Sequence, residues 1–197
     1  MRCVLGQTIR VLIGALSAAV APARADSVLF DFDNAPLHAP LPLDVTAGPL
    51  TAHLSATGQG FSIQTADVLG FTPAGFSGYA IYPSSVFAAD LLVGFSAPVL
   101  GVSILYAPEE YACDSSATMR ITAYLGVAFV GTATATAPAP GTWPTGTLAI
   151  ATQTPFDNVV VHYESPPPTG GDWGPIFMAD NMIVTTSSDA IFANGFD

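Results

Sequence analysis

The sequence is short of positive charge. Its 197 residues contain four Lys or Arg side chains against fifteen Asp or Glu, and none of the four is a lysine. Three of them precede residue 26, so that from Asp26 onward Arg120 alone opposes fifteen acids and the formal charge is −14. Nucleic acid and anionic membranes are therefore poor partners, since phosphate binding depends on clustered Lys and Arg. Such a surface attracts cations such as calcium, or is simply solvated.

Cysteine is almost as scarce, with only Cys3 and Cys113 in the chain. Cys3 lies in a segment that we expect to be removed, so Cys113 has no partner for a disulfide within the mature chain. Its neighbours are polar, which predicts a loop. Two alternatives stay open: a covalent dimer through Cys113, or an unpaired thiol. Gels run with and without reductant distinguish them.

Motifs of catalysis are also missing. The chain has no G-x-S-x-G elbow, no H-E-x-x-H and no glycine-rich phosphate loop. Its histidines, His38, His53 and His162, are far apart in sequence. We therefore predict a non-catalytic protein. The alternative is a secreted hydrolase whose site is assembled only in three dimensions, and a histidine that meets a serine or an acid in a pocket would favour it.

Residues 1–25 have the pattern of a cleavable signal peptide. Arg2 and Arg10 precede an apolar run, and the small residues Ala23 and Ala25 suit a signal peptidase that cuts before Asp26. The run is shorter than the about 20 residues that span a bilayer; an uncut anchor or a buried helix is the alternative. Cys3 precedes the run, so it is not the acylated cysteine of a lipoprotein. We predict a signal helix in the uncleaved chain and a secreted mature protein.

Apolar residues after the signal alternate with polar ones at a period of two, which is typical of half-buried strands. Met119, Ile121 and Ala123, for example, oppose Arg120 and Tyr124. About nine or ten such runs occur, bounded by Gly, Pro, Ser and Asn. The pattern predicts an all-β fold, an antiparallel β-sandwich of jelly-roll type over residues 26–186, followed by a C-terminal tail at 187–197.

The most apolar stretch, residues 86–107, contains Asp90 and Pro98. These residues argue against a transmembrane segment, and we interpret the stretch as two antiparallel strands joined near Pro98. Residues 34–49, 137–146 and 165–175 are predicted loops because proline and glycine punctuate them. The Ala/Thr-rich residues 128–136 suit an edge strand.

Aromatic residues in or beside the predicted loops are candidate ligand-binding groups. A ring held on a rigid loop can stack on a sugar while nearby Asp and Asn accept hydroxyl hydrogen bonds. The alternative is that these rings fold back and cover the ends of the sandwich. The candidates are Tyr79, Tyr82, Tyr111, Trp143 and Trp173.

Five short motifs give the chain a family resemblance: Phe30–Asn34, Leu92–Val99, Ala123–Gly126, Pro155–Val161 and Phe177–Val184. In this order they resemble exported bacterial jelly-roll domains, similar to carbohydrate-binding and galactose-binding-like modules that precede C-terminal sorting tails. The resemblance implies an extracellular or cell-surface role in a bacterium, with a polysaccharide or a surface component as partner.

The last nine residues, 189–197, resemble the terminal signature of many exported gammaproteobacterial proteins, with a final Asp in place of Glu. They contain no apolar span and no basic cluster, so a membrane anchor is not expected there. A sorting signal is one interpretation of this tail. A frayed polar end is the other.

The resemblance also suggests a metal site, because the first and last strands of such jelly rolls lie side by side. Oxygen ligands would then converge from the end of the first strand and from within the last. Ca²⁺ takes six to eight oxygens at about 2.4 Å, so we predict a structural calcium ion as the one candidate cofactor. In the alternative, these side chains cap strand ends and accept hydrogen bonds from turn amides. The candidate ligands are Asp31, Asp33, Asn34, Asp180 and Asn181.

Overall fold

A computed structural model describes residues 26–108, 118–136, 143–164 and 176–186. This part of the chain is all β, as predicted, and every strand pairing in it is antiparallel. The strands are β1 (Asp26–Phe30), β2 (Leu43–Ala47), β3 (Leu50–Ala56), β4 (Phe61–Thr65), β5 (Tyr79–Pro83), β6 (Leu91–Pro108), β7 (Thr118–Leu125), β8 (Ala128–Thr136), β9 (Gly146–Tyr163) and β10 (Phe177–Thr186).

The strands form a β-sandwich of two layers that share the long strands β6 and β9. In the first, which we call the front layer, the order is β2-β3-β6-β9-β7-β8. In the second, the back layer, it is β9-β6-β10-β5-β4, and β1 also pairs with β10. The two layers are possible because β6 and β9 have 18 residues each. The predicted neighbourhood of the first and last strands is confirmed by the β1–β10 pairing.

The prediction of two strands joined near Pro98 is wrong, because β6 is continuous. Leu91–Phe95 pairs with β3 in the front layer, whereas the residues from Val99 onward pair with β10 in the back layer. The register to β9 shifts between Gly94 and Val99. Proline has no N–H to donate, so it is tolerated where ladder pairing is interrupted. Pro98 therefore marks a transfer between layers and not a turn.

The predicted loop over residues 34–49 also needs correction, since it contains strand β2. Val45 is buried while Asp44 and Thr46 are exposed, which is the alternation of a strand. Prolines on both sides of this five-residue strand hid it in the sequence. The edge-strand prediction for residues 128–136 is confirmed, because β8 ends the front layer among the described strands.

The main core lies between the layers and consists of the inward side chains predicted from the alternation. Met119, Ile121 and Ala123 of β7 are fully buried there, as are Val159 and Val161 of β9. They pack with large side chains of the back layer, notably Phe30, Phe61, Ile81, Ile104, Tyr106 and Phe177. Burying such a side chain contributes about 1.5–3 kcal/mol.

A second, smaller apolar cluster lies on the other side of the back layer. Ala80 of β5 and Met178 of β10 are buried in it, together with Phe76 of the segment that joins β4 to β5. Trp143 and Ile176 also belong to this cluster and pack on the outer side of the back layer. The outer surface of the back layer is thus partly covered, whereas the outer surface of the front layer is lined by exposed and half-exposed side chains. No helix in the described ranges is long and apolar enough to cross a membrane.

Candidate functional site

The outward side chains of the front layer form the candidate site, which we call the polar face. They alternate with the core residues along each strand, so the strand periodicity itself places them together. Three ion pairs lie on this face, and they are the ion pairs found among the described residues: His53 with Asp44 across β3 and β2, His162 with Asp90, which precedes β6, and Arg120 with Glu164, which follows β9.

Both histidines of the polar face are held by a carboxylate. His162 Nδ1 lies 2.6 Å from Asp90 Oδ1, and His53 Nδ1 lies 2.8 Å from Asp44 Oδ1. Since a carboxylate only accepts hydrogen bonds, Nδ1 is the donor in each pair. In the neutral ring Nε2 is then an acceptor with a fixed orientation. Each histidine can therefore accept a hydrogen bond from a hydroxyl group of a ligand.

Threonine hydroxyls continue the polar face across β7 and β8. Thr118 Oγ1 lies 2.9 Å from Thr136 Oγ1, and Thr122 Oγ1 lies 3.3 Å from Thr132 Oγ1. A hydroxyl group donates one hydrogen bond and accepts others. The Ala/Thr alternation of β8 thus turns its hydroxyl groups outward and its alanines toward the core.

Two aromatic rings end the polar face at the β7–β8 hairpin. Tyr124 and Phe129 are cross-strand partners with centroids 6.3 Å apart in an edge-to-face arrangement. Phe129 is 64% exposed. Sequence reasoning missed both rings because it sought aromatics in loops. The signal was present, since the alternation put Tyr124 on the side of Arg120.

Hydrogen bonds from β9 hold the turn of this hairpin. The Gly126 N–H donates to Asp157 Oδ1 at 2.8 Å, and Asn158 Nδ2 donates to the Gly126 carbonyl at 3.0 Å. The N–H and the carbonyl group of Gly126 therefore both form hydrogen bonds with neighbouring side chains. The exposed ring of Phe129 and the half-buried ring of Tyr124 thus lie next to a turn that is held in place.

The predicted ligand-binding residue Trp143 is buried, with 4% of its surface exposed. Its ring stacks on that of Tyr82, with centroids 6.4 Å apart and planes inclined by 28°. Tyr82 is half-buried on β5, and so is Tyr79, which packs against the main core. This is the covering arrangement considered as the alternative. Trp143 shows no face to a ligand here, so it has no part in the site that we propose below.

Other sequence predictions concern segments outside the described residues. Tyr111 and Trp173 lie there, and so does Cys113 with the dimer that it would form. The signal peptide at 1–25 and the tail at 187–197 lie there as well. These stay predictions.

The candidate calcium ligands approach one another near the β1–β10 pair. Asp33 Oδ1 accepts a hydrogen bond from the Tyr79 N–H at 2.6 Å, and Asp180 Oδ2 accepts one from the Ser77 N–H at 3.1 Å. Asp180 is fully buried. Burial raises the pKa of Asp180 to about 7; the charges of Asp33 and Asp31 add to this, while hydrogen bonds from backbone amides act against it.

The arrangement of these carboxylates matches the capping alternative better than a preformed metal site. Asp33 and Asp180 accept hydrogen bonds from amides of the 75–79 turn, and Asn181 Nδ2 donates to the Gly75 carbonyl at 3.2 Å. In the ranges that the structure covers, no group of three or more His, Cys, Asp or Glu side chains is arranged to hold a metal ion. Calcium binding would require these side chains to move, and it stays a prediction.

Asp31 and Asn34 also line a cavity of about 240 Å³ between the end of β1 and the β2–β3 hairpin. Leu29, Phe30 and Phe32 complete its wall on the β1 side, and residues 45–48 complete it on the hairpin side. No tryptophan lines this cavity, and neither His–Asp pair lies in it. Sequence reasoning expected a sugar pocket of tryptophan and Asn or Asp. The cavity has the Asp and the Asn, but its aromatic residues, Phe30 and Phe32, are buried phenylalanines.

Comparison with known proteins gives similarity at the level of the fold. No protein family profile matches the chain, and no curated protein matches it in sequence. Among solved structures, the K2 cleaved adhesin domain of Lys-gingipain is 10% identical, with a TM-score of 0.50 over 82% of this chain and 100% of that domain. The K1 adhesin domain, from Porphyromonas gingivalis W83, is 13% identical with a TM-score of 0.45 over 82% and 98% of the two chains.

A family 11 carbohydrate-binding module from Clostridium thermocellum, solved with a β-1,3-1,4-mixed-linked tetrasaccharide, is also similar. It is 12% identical, with a TM-score of 0.35 over 80% of this chain and 94% of the module. At such identities the similarity concerns the fold alone. Adhesin and carbohydrate-binding domains are thus among the structural neighbours of this chain.

Proposed function

We propose that this chain is a secreted, non-catalytic binding module that holds a glycan on its polar face. The observation that carries the proposal is the combination of the exposed ring of Phe129, paired with the half-buried ring of Tyr124, with hydroxyl, imidazole and carboxylate groups on the same side of the front layer. Export by the 1–25 segment, a surface or extracellular location and a structural calcium ion belong to the same proposal.

The chemistry of a sugar suits this surface. The C–H groups of a pyranose ring pack on an aromatic ring, while its hydroxyl groups need donors and acceptors at the same time. Phe129 offers the ring, and its exposure leaves room for a sugar. Thr122 and Thr132 offer hydroxyl oxygens as acceptors on the neighbouring positions of β7 and β8, since the Thr132 hydroxyl donates its own proton to the Ile121 carbonyl.

The rigidity of the support favours binding as well. A site that is ordered before the ligand arrives loses little conformational entropy when the complex forms. The hairpin turn is hydrogen-bonded to Asp157 and Asn158, and His53 and His162 are each oriented by an acid. The polar face is thus organised without a ligand.

A secreted hydrolase is the second candidate, and the 2.6 Å contact of His162 with Asp90 is what favours it. A carboxylate that orients an imidazole is part of many acid–base sites. His162→Ala would then abolish release of reducing sugar from a polysaccharide. Binding without release, in wild type and variant alike, favours the module.

A polysaccharide panel tests the proposal by pull-down and calorimetry, with calcium and with a chelator. Phe129→Ala should weaken binding of a retained glycan about tenfold or more, because one stacked ring contributes on the order of 1 kcal/mol beyond its buried area. Phe71→Ala is the matched control, since Phe71 is an exposed ring in the segment between β4 and β5. Retention of no glycan by the wild type would reject the proposal.

A further inference from the structure

We infer that the glycan held by the polar face carries no acidic groups, so that the protein selects neutral polysaccharides against those bearing carboxylate or sulfate. This inference rests on the proposed function, and it concerns the ligand class of the same site. It follows from how Arg120, His53 and His162 of the face are already paired with acids.

The one basic side chain of the mature sequence is committed to an acid. Arg120 Nη1 lies 3.2 Å from Glu164 Oε1, and both side chains are about 40% exposed. A ligand carboxylate or sulfate needs such a guanidinium group for a charge-assisted hydrogen bond. Arg120 has further N–H groups that Glu164 does not use, but an anionic ligand bound to them would lie beside the Glu164 carboxylate and be repelled by it.

The histidines offer no free positive charge either. His53 and His162 donate through Nδ1 to Asp44 and Asp90. With neutral imidazoles, the six paired side chains of the face comprise three carboxylates and one guanidinium, so their formal charge is −2. An anionic polymer that approaches the face therefore meets net repulsion, which salt screens over about 8 Å at physiological ionic strength.

A neutral sugar meets the opposite situation. Its hydroxyl groups can donate to the carboxylate oxygens and to the imidazole Nε2 atoms, and they can accept from threonine hydroxyls. Asp44 is the most accessible of these acceptors, with 66% of its side chain exposed. The acids that repel an anionic glycan are thus acceptors for a neutral one.

Matched polymers test the inference. Each of three backbones, a β-1,4-glucan, a β-1,3-glucan and a galactan, is presented in hydroxyethylated form, which is neutral, and in carboxymethylated form, which is acidic. We expect a retained backbone to bind at least tenfold more weakly in its carboxymethyl form at 0.15 M salt, with a smaller ratio at 1 M salt. The hydroxyethyl form controls for the bulk of the substituent.

Two variants sharpen the test. Glu164→Gln frees Arg120, and Asp44→Asn removes an exposed charge. Each variant should therefore reduce the ratio of the affinity for the hydroxyethyl form to the affinity for the carboxymethyl form. Two variants are used so that a folding defect in one does not end the test. Carboxymethyl forms that bind as tightly as neutral ones, with sensitivity to Phe129→Ala, would overturn the inference and leave the proposed function standing. Failure of every form to bind would reject the proposed function itself.

Discussion

The hydroxyl group of Tyr106 donates a 3.1 Å hydrogen bond to the carbonyl oxygen of Ala135. Tyr106 lies on β6 in the back layer and Ala135 lies on β8 in the front layer, so this bond joins the two layers across the core. Tyr106 is fully buried, and its burial raises the pKa of the phenol to about 12. Gly146 lies beside the ring, where any Cβ would meet the phenol oxygen.

Removing this bond should loosen the edge strand. Tyr106→Phe leaves the Ala135 carbonyl without its donor, and we expect the free energy of unfolding to fall by about 1 kcal/mol. Chemical denaturation measures it. Tyr124→Phe, which removes a hydroxyl from the half-buried ring on the polar face, should have a smaller effect; equal effects would contradict the role of the interlayer bond.

Substitutions at two glycines, Gly48 and Gly78, distinguish the cost of backbone strain from the cost of a steric clash. Gly78 and Gly48 have nearly the same positive φ, 56° and 55°. The Asp33 carboxyl group lies where a Cβ on Gly78 would stand, whereas space around Gly48 is open. We expect Gly48→Ala to cost about 1 kcal/mol from strain alone, and Gly78→Ala about 1–3 kcal/mol more. Similar melting temperatures for the two variants would show that Asp33 moves aside freely.

Asp180 should make stability depend on pH. Its pKa is about 7 in the fold and 3.8 without the shift. Between these values the unfolded chain has lost the proton that the folded chain keeps, so the free energy of unfolding falls as pH rises and levels off above about 7. Thermal unfolding from pH 4 to 8 in a chelator measures this decline.

The variant for this test is Asp180→Asn, which keeps the size of the side chain and cannot titrate. The free energy of unfolding of this variant should fall less between pH 4 and 7 than that of the wild type. Asp67→Asn, at an exposed carboxylate, should keep the wild-type decline. If the stability of the wild type and that of Asp180→Asn changed with pH in the same way, the prediction would be contradicted.

Calcium should stabilise the fold if the acids of β1 and β10 rearrange around it. The melting temperature of the wild type would then rise with calcium concentration by mass action. Asp31→Asn should reduce the rise, and Asp67→Asn should not. An unchanged melting temperature at millimolar calcium would remove the metal from the proposal and leave the carboxylates as caps.

The fold was largely predictable because alternation is a local signal. Inward residues such as Met119 and Ile121 are buried as expected. The misjudged elements lie where proline interrupts that signal. Pro98 was interpreted as a turn, yet it lies in a strand that changes partners, and the short strand β2 was hidden among prolines. Which partner a strand takes depends on distant residues, so the pattern alone does not give it.

The site was harder to predict, because exposure of a ring depends on tertiary packing. Trp143 follows proline and glycine in the sequence and was expected on the surface, but the outer side of the back layer buries it. Phe129 follows a turn in an Ala/Thr-rich strand and is exposed. His162 lies on the polar face, and its pairing with Asp90, 72 residues away, has no signature in the sequence.

The position of Arg120 has a consequence for resistance to proteolysis. It is the only site at which a protease specific for basic residues could cut the chain after residue 26. The bond to Ile121 lies within β7, which is hydrogen-bonded to β8 on one side and β9 on the other. A protease must bind its substrate as a free extended segment, and this segment becomes free only when the front layer opens. The folded domain is therefore resistant to trypsin-like digestion, and its lifetime among such enzymes is set by its own unfolding.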